Sequence, residues 1–209
     1  MAKVRLIYGV MKTGKTVVLM QIIYNYEKSG HKVLIAKPFV DKKGGEYLES
    51  RMTGKFYRPV DLMIKPEDTF IEACKKAQIN PLDYDYIAID EAQFLSKEQI
   101  YEMWVLAKED NREFIFASLK TNFLGEFFEG SQELLARADE KTELFCSCEI
   151  KGCKDVAQYN ARKINGEWMS SGDVVVIDGL NQEVQYISVC GQHFYQFTQK
   201  AKASQYVLR

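Results

Sequence analysis

A short glycine-containing pattern near the start of the chain constrains its fold more than any other feature. Residues 9–16 read Gly-Val-Met-Lys-Thr-Gly-Lys-Thr, which matches the phosphate-loop consensus G-x-x-x-x-G-K-[ST]. The apolar run Val4–Tyr8 before it predicts a strand, and Thr16–Lys28, which is apolar at helical spacing and is followed by Gly30, predicts a helix. The backbone N–H groups of such a loop wrap a phosphate, and the helix N-terminus adds a favourable dipole. The sequence therefore predicts a nucleoside triphosphate site.

Within this loop the residue types assign roles. Lys15 is expected to reach the β- and γ-phosphates, and the hydroxyl of Thr16 is expected to ligate Mg²⁺. The residues predicted to bind the phosphates are Gly9, Met11, Lys12, Thr13, Gly14, Lys15 and Thr16. The motif indicates that a nucleoside triphosphate binds, but it does not identify the second substrate.

The chain from residue 1 to about 140 alternates short β-rich runs with helical stretches. Such alternation predicts an α/β fold, in which a parallel sheet is flanked by helices on both faces. The predicted strands are Lys32–Lys37, Val60–Ile64, Tyr86–Asp90 and Glu113–Leu119, in addition to the first. Helices are predicted over Pro66–Gln78 with the proline at its start, from the capping box of Ser96 and Gln99 to about Glu109, and over Ser131–Asp139.

An acidic pair follows one of the predicted buried strands. The run Ile87-Ala88-Ile89 ends in Asp90 and Glu91. In a phosphate-loop enzyme an aspartate at this place holds the other side of the Mg²⁺. Ligands bind at the carboxyl ends of the strands in open α/β sheets, and a second carboxylate there can accept a proton from an attacking hydroxyl. Asp90 is thus predicted to be associated with Mg²⁺, and Glu91 to be the general base.

Four of the five cysteines lie between residues 146 and 190, where the pattern becomes β-rich, with the short runs Val174–Ile177 and Tyr186–Val189. Cys146 or Cys148 together with Cys153, and Cys190 with His193, form two close pairs typical of a tetrahedral zinc site. One thiol is in excess, so either Cys146 or Cys148 is spare. Four protein ligands make the site closed and structural, which suits a module too small to bury a good core.

These features predict an organisation in three parts. Residues 1–143 are expected to form the nucleotide-binding domain, residues 144–197 a zinc-stabilised β-rich module, and residues 198–209 a polar tail. The formal net charge is -1, which argues against a protein that binds nucleic acid mainly by neutralising phosphates. No apolar run approaches the ~18 residues of a membrane span, and no signal peptide is evident at the start. A reducing, cytoplasmic location is therefore expected.

Taken together, the motifs resemble the type II thymidine kinase family, in particular its bacterial and phage branch. The likeness covers nearly the whole chain, and the order and spacing of its blocks are more specific than any one block. The blocks are the loop containing Met11, Lys37-Pro38 with Asp41, Ser50-Arg51, residues 90–94 (Asp-Glu-Ala-Gln-Phe), residues 119–123 (Leu-Lys-Thr-Asn-Phe), Gly125-Glu126, residues 128–131 (Phe-Glu-Gly-Ser), the stretch with Ala157 and Arg162, and Tyr186 with Cys190 and His193.

The resemblance implies phosphorylation of the 5′-hydroxyl of thymidine by ATP–Mg²⁺ to give dTMP, with a zinc-tethered lid over the nucleoside. By the same resemblance the nucleoside-binding residues are Met11, Phe94, Leu119, Phe123, Phe128, Asn160 and Tyr186. Arg51 and Lys43 are candidates for clamping the transferred phosphoryl group, and Cys148, Cys153, Cys190 and His193 are the implied zinc ligands, with Cys146 as the alternative first thiol. A homotetramer is also implied, with nucleoside and ATP as small-molecule partners and no membrane or nucleic-acid partner.

Several positions depart from the family pattern. Asn122 stands where aspartate is usual, Leu124 where arginine is common, and Asn160 where some members have threonine. These departures leave open a kinase for another pyrimidine deoxynucleoside and a nucleotide-binding protein without turnover. A nucleic-acid-dependent ATPase also stays open, because a phosphate loop combined with Asp-Glu-Ala-Gln at 90–93 is helicase-like as well. The resemblance further suggests that removing zinc raises the KM for the nucleoside before it affects ATP.

Overall fold

The computed structural model describes residues 2–39, 47–49, 57–174 and 183–200. The chain divides into two compact units. The first comprises Met1–Tyr8, Gly14–Lys120 and Phe128–Leu144, and the second comprises Gly9–Thr13, Thr121–Phe127 and Phe145–Arg209. Lys43 and Arg51, the two candidates for the phosphate clamp, lie outside the described residues, as do Asp41 and Ser50.

The first unit contains a six-stranded sheet in the order β5-β2-β6-β7-β1-β8. Its strands are β1 (Val4–Gly9), β2 (Val33–Pro38), β5 (Leu62–Ile64), β6 (Tyr86–Ile89), β7 (Glu113–Leu119) and β8 (Glu140–Glu143), and a separate antiparallel pair is formed by β3 (Tyr47–Glu49) and β4 (Tyr57–Pro59). The pairs β5–β2, β2–β6, β6–β7 and β1–β8 are parallel.

In the described part of this unit, the α-helices are α1 (Lys15–Lys28), α2 (Phe70–Lys76), α3 (Lys97–Glu109) and α4 (Glu129–Arg137). Short 3-10 helices span Pro81–Asp83 and Ala92–Phe94. Among the described residues, no helix has the length and apolar character needed to cross a membrane.

Alternation along the strands divides the core into two layers. Leu34 and Ala36 of β2 lie in one cluster with Phe70 of α2, whereas Val33 and Ile35 lie in a second cluster with residues of α1 such as Ile23. Successive side chains of a strand point to opposite faces, so a strand buried on both faces is apolar throughout, as β2 is. The predicted α/β fold, a parallel sheet covered by helices on both faces, is confirmed.

Most of the predicted elements of this unit are present, but the second helix is shorter than its predicted range, Pro66–Gln78. It begins at Phe70 rather than at Pro66, because Thr69 forms a capping box with Glu72. The capping box predicted for Ser96 and Gln99 is present at the start of α3. Gly30, predicted as the stop of α1, adopts a φ of 87° two residues after the helix ends.

The second unit contains a three-stranded antiparallel sheet in the order β10-β9-β11. Its strands are β9 (Tyr159–Ile164), β10 (Glu167–Trp168) and β11 (Val184–Val189), followed by α5 (Gly191–Phe194) and a π-helical turn, Tyr195–Gln199. Its buried core cluster is small, since it comprises Cys148, Ala161, Val189, Cys190 and Phe194. The predicted strand Val174–Ile177 and residues 201–209 of the predicted tail fall largely or wholly outside the described residues.

Candidate active site

Several predicted site residues of the first unit lie at the carboxyl edge of its sheet. The register pairs Ala36 of β2 with Ile89 of β6, and Ile89 in turn with Phe116 of β7. The carboxyl ends of these three strands therefore lie at one edge of the sheet. Lys37 and Asp90, which come directly after the paired residues Ala36 and Ile89, lie at this edge, and both are buried. Open α/β sheets bind their ligands at this edge.

The first turn of α1 lies at this site. Gly14 is its N-cap with a φ of 83°, a left-handed conformation that glycine adopts without steric cost, and no side chain caps the helix. The first turn carries Lys15 and Thr16 and contains no acidic residue. A helix start that has a lysine and no side-chain cap suits a phosphate group, because backbone N–H groups and the helix dipole both favour an anion.

The side chains of Thr16 and Asp90 are joined directly. The Thr16 Oγ1 donates to the Asp90 Oδ2 at 2.9 Å, although the two residues are far apart in the sequence. A hydroxyl and a carboxylate oxygen are the ligand types that Mg²⁺ takes from a phosphate-loop protein. The predicted Mg²⁺-associated pair is thus together in space, and its donor chemistry fits the ion.

Burial strongly affects the protonation of Asp90. Desolvation, reinforced by the neighbouring Glu91 carboxylate, raises the pKa of Asp90 to about 7, against the opposing hydrogen bond from Thr16. The unfolded chain ionises this group near its ordinary pKa of 3.8. The ionised carboxylate is consequently less stable in the folded protein until a cation accompanies it.

We expect Asp90→Asn to stabilise the metal-free protein above pH 7. A carboxyl whose folded pKa lies above its unfolded value favours folding fully only below the unfolded pKa, and this advantage is lost as the pH rises through about 7. The asparagine variant carries no charge at any pH, so its gain in Tm should grow from pH 4 to pH 7 and then level at a few degrees. Thermal unfolding without Mg²⁺ at pH 4, 6 and 8 measures it. A constant difference across this range would contradict the assignment.

Glu91 occupies a strained backbone position two residues after the end of β6. Its φ is 52°, in the left-handed region that residues with a Cβ seldom adopt. Such conformations cost on the order of 1–3 kcal/mol and cluster at functional sites. The turn places Glu91 at the carboxyl edge beside Asp90 and ahead of the 3-10 helix Ala92–Phe94.

Gln93 fixes the side chain of Glu91. Its Oε1 accepts from the backbone N–H of Leu119 at 3.0 Å, and its Nε2 donates to the Glu91 Oε2. Because the Leu119 N–H requires an oxygen, the amide of Gln93 can only turn its NH₂ group towards the carboxylate. Gln93 itself is 2% exposed, so this arrangement is held within the core.

The aromatic residues predicted at the nucleoside site are distributed over both units. In the first unit Phe94 and Phe128 form an edge-to-face pair with centroids 5.7 Å apart. Gly130 permits this packing, since a Cβ there would lie 2.5 Å from the carbonyl oxygen of Leu95. In the second unit Phe123 is buried beneath Arg162, whose guanidinium carbon lies 3.5 Å from the ring centroid.

Two further predicted residues of the second unit are in direct contact. The Met11 backbone N–H donates to the Asn160 Oδ1 at 2.8 Å. Tyr186 lies on β11 and is half-buried, with its backbone oxygen 3.3 Å from the Lys12 Nζ. The side chain of Asn160 therefore binds the backbone of the phosphate loop. The position of Asn160 in the sequence does not predict this contact.

The second unit also contains a potential metal centre. The ligand atoms of Cys148, Cys153, Cys190 and His193 all lie within 4.8 Å of one another. The His193 Nδ1 is 3.4 Å from the Cys148 Sγ and 3.2 Å from the Cys190 Sγ, and the Sγ atoms of Cys153 and Cys190 are 3.9 Å apart. Tetrahedral zinc with Zn–S of about 2.3 Å and Zn–N of about 2.0 Å would separate its ligands by about 3.5–3.8 Å.

The pKa values of two of these thiols are also consistent with a cation at this site. Burial opposes ionisation of Cys148, but hydrogen bonds from the backbone amides of Ile150 and Cys190 outweigh it and lower the pKa of this thiol. Although the backbone amide of Asp155 favours its thiolate, burial and the adjacent Cys148 and Cys190 thiols raise the pKa of Cys153 to about 11. Several thiolates can coexist here only around a positive ion, so the cluster is consistent with a structural zinc site.

Cys146 is not part of this cluster. Its Sγ lies 3.8 Å from the Met11 backbone oxygen. The sequence alone did not distinguish it from Cys148, because both precede Cys153 at acceptable spacing. Residues that the sequence analysis did not single out include Gln93, Glu149 and Ser188; only the family block containing Gln93 could have drawn attention to one of them.

Comparison with known proteins identifies relatives along nearly the whole chain. A family model described as thymidine kinase matches residues 2–194. A thymidine kinase of Legionella pneumophila (strain Lens) is 32% identical over 198 residues, covering 93% of this chain and 90% of the relative. One of Streptococcus pyogenes serotype M28 is 32% identical over 196 residues, covering 93% and 98%. A solved structure of the replication initiator DnaA bound to AMPPCP and single-stranded DNA aligns with a TM-score of 0.42 at 19% identity over 69% of this chain and 40% of that one, a likeness too slight to indicate function.

Proposed function

The chain belongs to the thymidine kinase family, and on this premise we propose that Glu91 accepts the proton of the thymidine 5′-hydroxyl while the γ-phosphoryl group of ATP is transferred to it. The enzyme is an ATP-dependent thymidine kinase, which forms dTMP in nucleotide salvage. The observation that carries the proposed mechanism is the hydrogen bond between Thr16 and Asp90. This hydrogen bond joins the first turn of α1 to Asp90, the residue immediately before Glu91, and so supports a role for Glu91 next to the phosphates.

Each residue at this edge has a separate task. The uncapped start of α1 and the ammonium group of Lys15 bind the triphosphate. Thr16 and Asp90 would hold Mg²⁺, which supplies positive charge to the phosphates when it is bound. Glu91, held by Gln93, receives the hydroxyl proton as the new phosphorus–oxygen bond forms. Arg51 and Lys43 are proposed to neutralise the transferring group, and both lie outside the described residues.

The family resemblance supports seven residues as the nucleoside-binding set. Phe94, Leu119 and Phe128 belong to the first unit, and Met11, Phe123, Asn160 and Tyr186 to the second. Aromatic side chains suit a flat pyrimidine because stacking requires only a π-face. The family resemblance further supports residues 1–143 as kinase domain, 144–197 as lid and 198–209 as tail, together with a homotetramer in the cytoplasm.

Product analysis tests the substrate. The protein is incubated with labelled ATP, Mg²⁺ and each deoxynucleoside in turn, and the labelled monophosphates are separated. We expect dTMP to form with the highest kcat/KM. A higher value with deoxycytidine or deoxyuridine would make the chain a kinase for that nucleoside, and ATP hydrolysis that needs nucleic acid but yields no monophosphate would support an ATPase.

Replacing Gln93 should lower kcat by disturbing the position of Glu91. In Gln93→Leu the Glu91 carboxylate loses its amide donor and the Leu119 N–H loses its acceptor, so the base is no longer held in place. We expect kcat to fall about 10- to 100-fold with the KM for ATP nearly unchanged, as for a displaced catalytic group. Steady-state kinetics measures this split.

Gln99 offers a matched control for this variant. It is likewise buried, but its Nε2 donates to the backbone oxygens of Lys65 and Asp68, away from the sheet edge. Gln99→Leu should lower the Tm and leave kcat near the wild-type value. Equal losses of kcat in both variants would show that Gln93 acts only through general stability.

A further inference from the structure

Two buried side chains of the second unit hold the backbone of the phosphate loop at Met11. The Met11 N–H donates to the Asn160 Oδ1 at 2.8 Å, and the Ser188 Oγ donates to the Met11 carbonyl oxygen at 2.9 Å. Asn160 is 3% exposed and Ser188 is fully buried. Both backbone polar groups of Met11 thus have partners on the antiparallel strands β9 and β11.

The next residue of the loop is held by its side chain. The Lys12 Nζ lies 2.6 Å from the Glu149 Oε2 and 3.3 Å from the Tyr186 carbonyl oxygen. The other carboxylate oxygen of Glu149 accepts from the Ser188 N–H at 3.1 Å. Lys12 has a φ of 64°, a conformation unfavourable for a residue with a Cβ, so the loop needs such contacts to keep its shape.

The segments that make these contacts also carry metal ligands. Glu149 directly follows Cys148, and Ser188 lies two residues before Cys190. The Glu149 N–H donates to the Ser188 carbonyl oxygen at 2.9 Å, which joins the two segments beside the cluster. An ion bound by Cys148 and Cys190 would cross-link the same two segments a second time.

We infer that Glu149 is a positioning residue for the phosphate loop. Through Glu149, a metal ion bound at the potential metal centre would set the affinity of the loop for the triphosphate. A loop held in its binding conformation loses less conformational freedom when the ligand arrives, so its affinity is higher. Loosening the segments at Cys148 and Cys190 would release Lys12 and Met11 together. Metal removal then weakens ATP binding directly, in contrast to the expectation that the nucleoside is affected first.

The Lys12–Glu149 pair differs from an ordinary surface ion pair, which commonly contributes little. Both oxygens of the carboxylate are engaged, one by the ammonium group and the other by a backbone amide within the sheet. The carboxylate is therefore fixed before it meets Lys12, and little side-chain freedom is lost on pairing. This inference rests on the proposed function only in taking ATP as the ligand of the loop.

The test measures ATP affinity by titration with a fluorescent ATP analogue and Mg²⁺, in metal-loaded protein and after removal of zinc. We expect Glu149→Gln to weaken binding about two- to fivefold at unchanged zinc content. Zinc removal should weaken binding at least as much and increase amide hydrogen exchange over residues 9–16. Glu167→Gln, which alters an exposed glutamate on β10, is the control and should leave the affinity unchanged.

A double-mutant cycle with Lys12→Met separates the pair from independent effects. If Glu149 acts through Lys12, its substitution should change the affinity little in the Lys12→Met background. Unchanged affinity in Glu149→Gln, or fully additive effects of the two variants, would overturn the inference. If the protein binds ATP in a Glu149-dependent way but forms no dTMP, the proposed function fails while the inference stands.

Discussion

Glu91→Gln is expected to lower kcat about a thousandfold while ATP still binds. The substitution keeps the size of the side chain and leaves an oxygen able to accept from Gln93. It removes the only property that the mechanism requires, the ability to take up the hydroxyl proton, and general bases contribute about 10²- to 10⁴-fold. The phosphate-binding groups, Lys15 and the start of α1, are untouched.

Single-turnover kinetics and ATP-analogue titration together measure this outcome. Glu98→Gln, which alters an exposed glutamate in the first turn of α3, is the control and should behave as the wild type. Near-normal turnover in Glu91→Gln would remove Glu91 from the role of base. A parallel loss of ATP affinity would instead assign it to nucleotide binding.

Cys190→Ser is expected to release the metal and unfold much of the second unit. The buried core of that unit has few members, and two of them, Cys148 and Cys190, belong to the potential metal centre. So small a core cannot fold on hydrophobic burial alone, and structural zinc contributes about 10–16 kcal/mol in zinc-finger peptides. A loss of several kcal/mol in stability follows, seen as early unfolding and rapid proteolysis after residue 145.

Cys146→Ser is the matched control, because this residue lies nearby in the sequence but outside the cluster. Metal analysis should find about one zinc per chain in the wild type and in Cys146→Ser, and much less in Cys190→Ser. Loss of zinc from Cys146→Ser would exchange the roles of Cys146 and Cys148. Wild-type protein purified without zinc would refute the metal centre.

The parts of this protein that the sequence predicts well are those encoded by neighbouring residues. The phosphate loop, the acidic pair after an apolar strand and the capping box of Ser96 each lie within a few positions, so spacing alone identifies them. Thr69 shows the limit of such reading: Pro66 looked like a helix start, yet the local capping box of Thr69 and Glu72 decides where α2 begins.

Contacts between segments that are far apart in the sequence could not be predicted, because they depend on the tertiary structure. Gln93 and Leu119 meet only because β6 and β7 are adjacent in the sheet, and neither residue type indicates that pairing. Similarly, Glu149 reads as one more surface charge until the fold brings it to Lys12. The choice between Cys146 and Cys148 also depended on tertiary structure, since it is β11 and the turn after it that bring Cys190 and His193 to Cys148.

A crystal structure with thymidine, Mg²⁺ and a non-hydrolysable ATP analogue tests the central claim most directly. The proposed mechanism predicts a carboxylate oxygen of Glu91 within about 3 Å of the thymidine 5′-oxygen, with that oxygen facing the γ-phosphorus. It also predicts that Thr16 and Asp90 lie at the bound Mg²⁺. A Glu91 side chain turned away from the 5′-hydroxyl, with another group holding that proton, would contradict it.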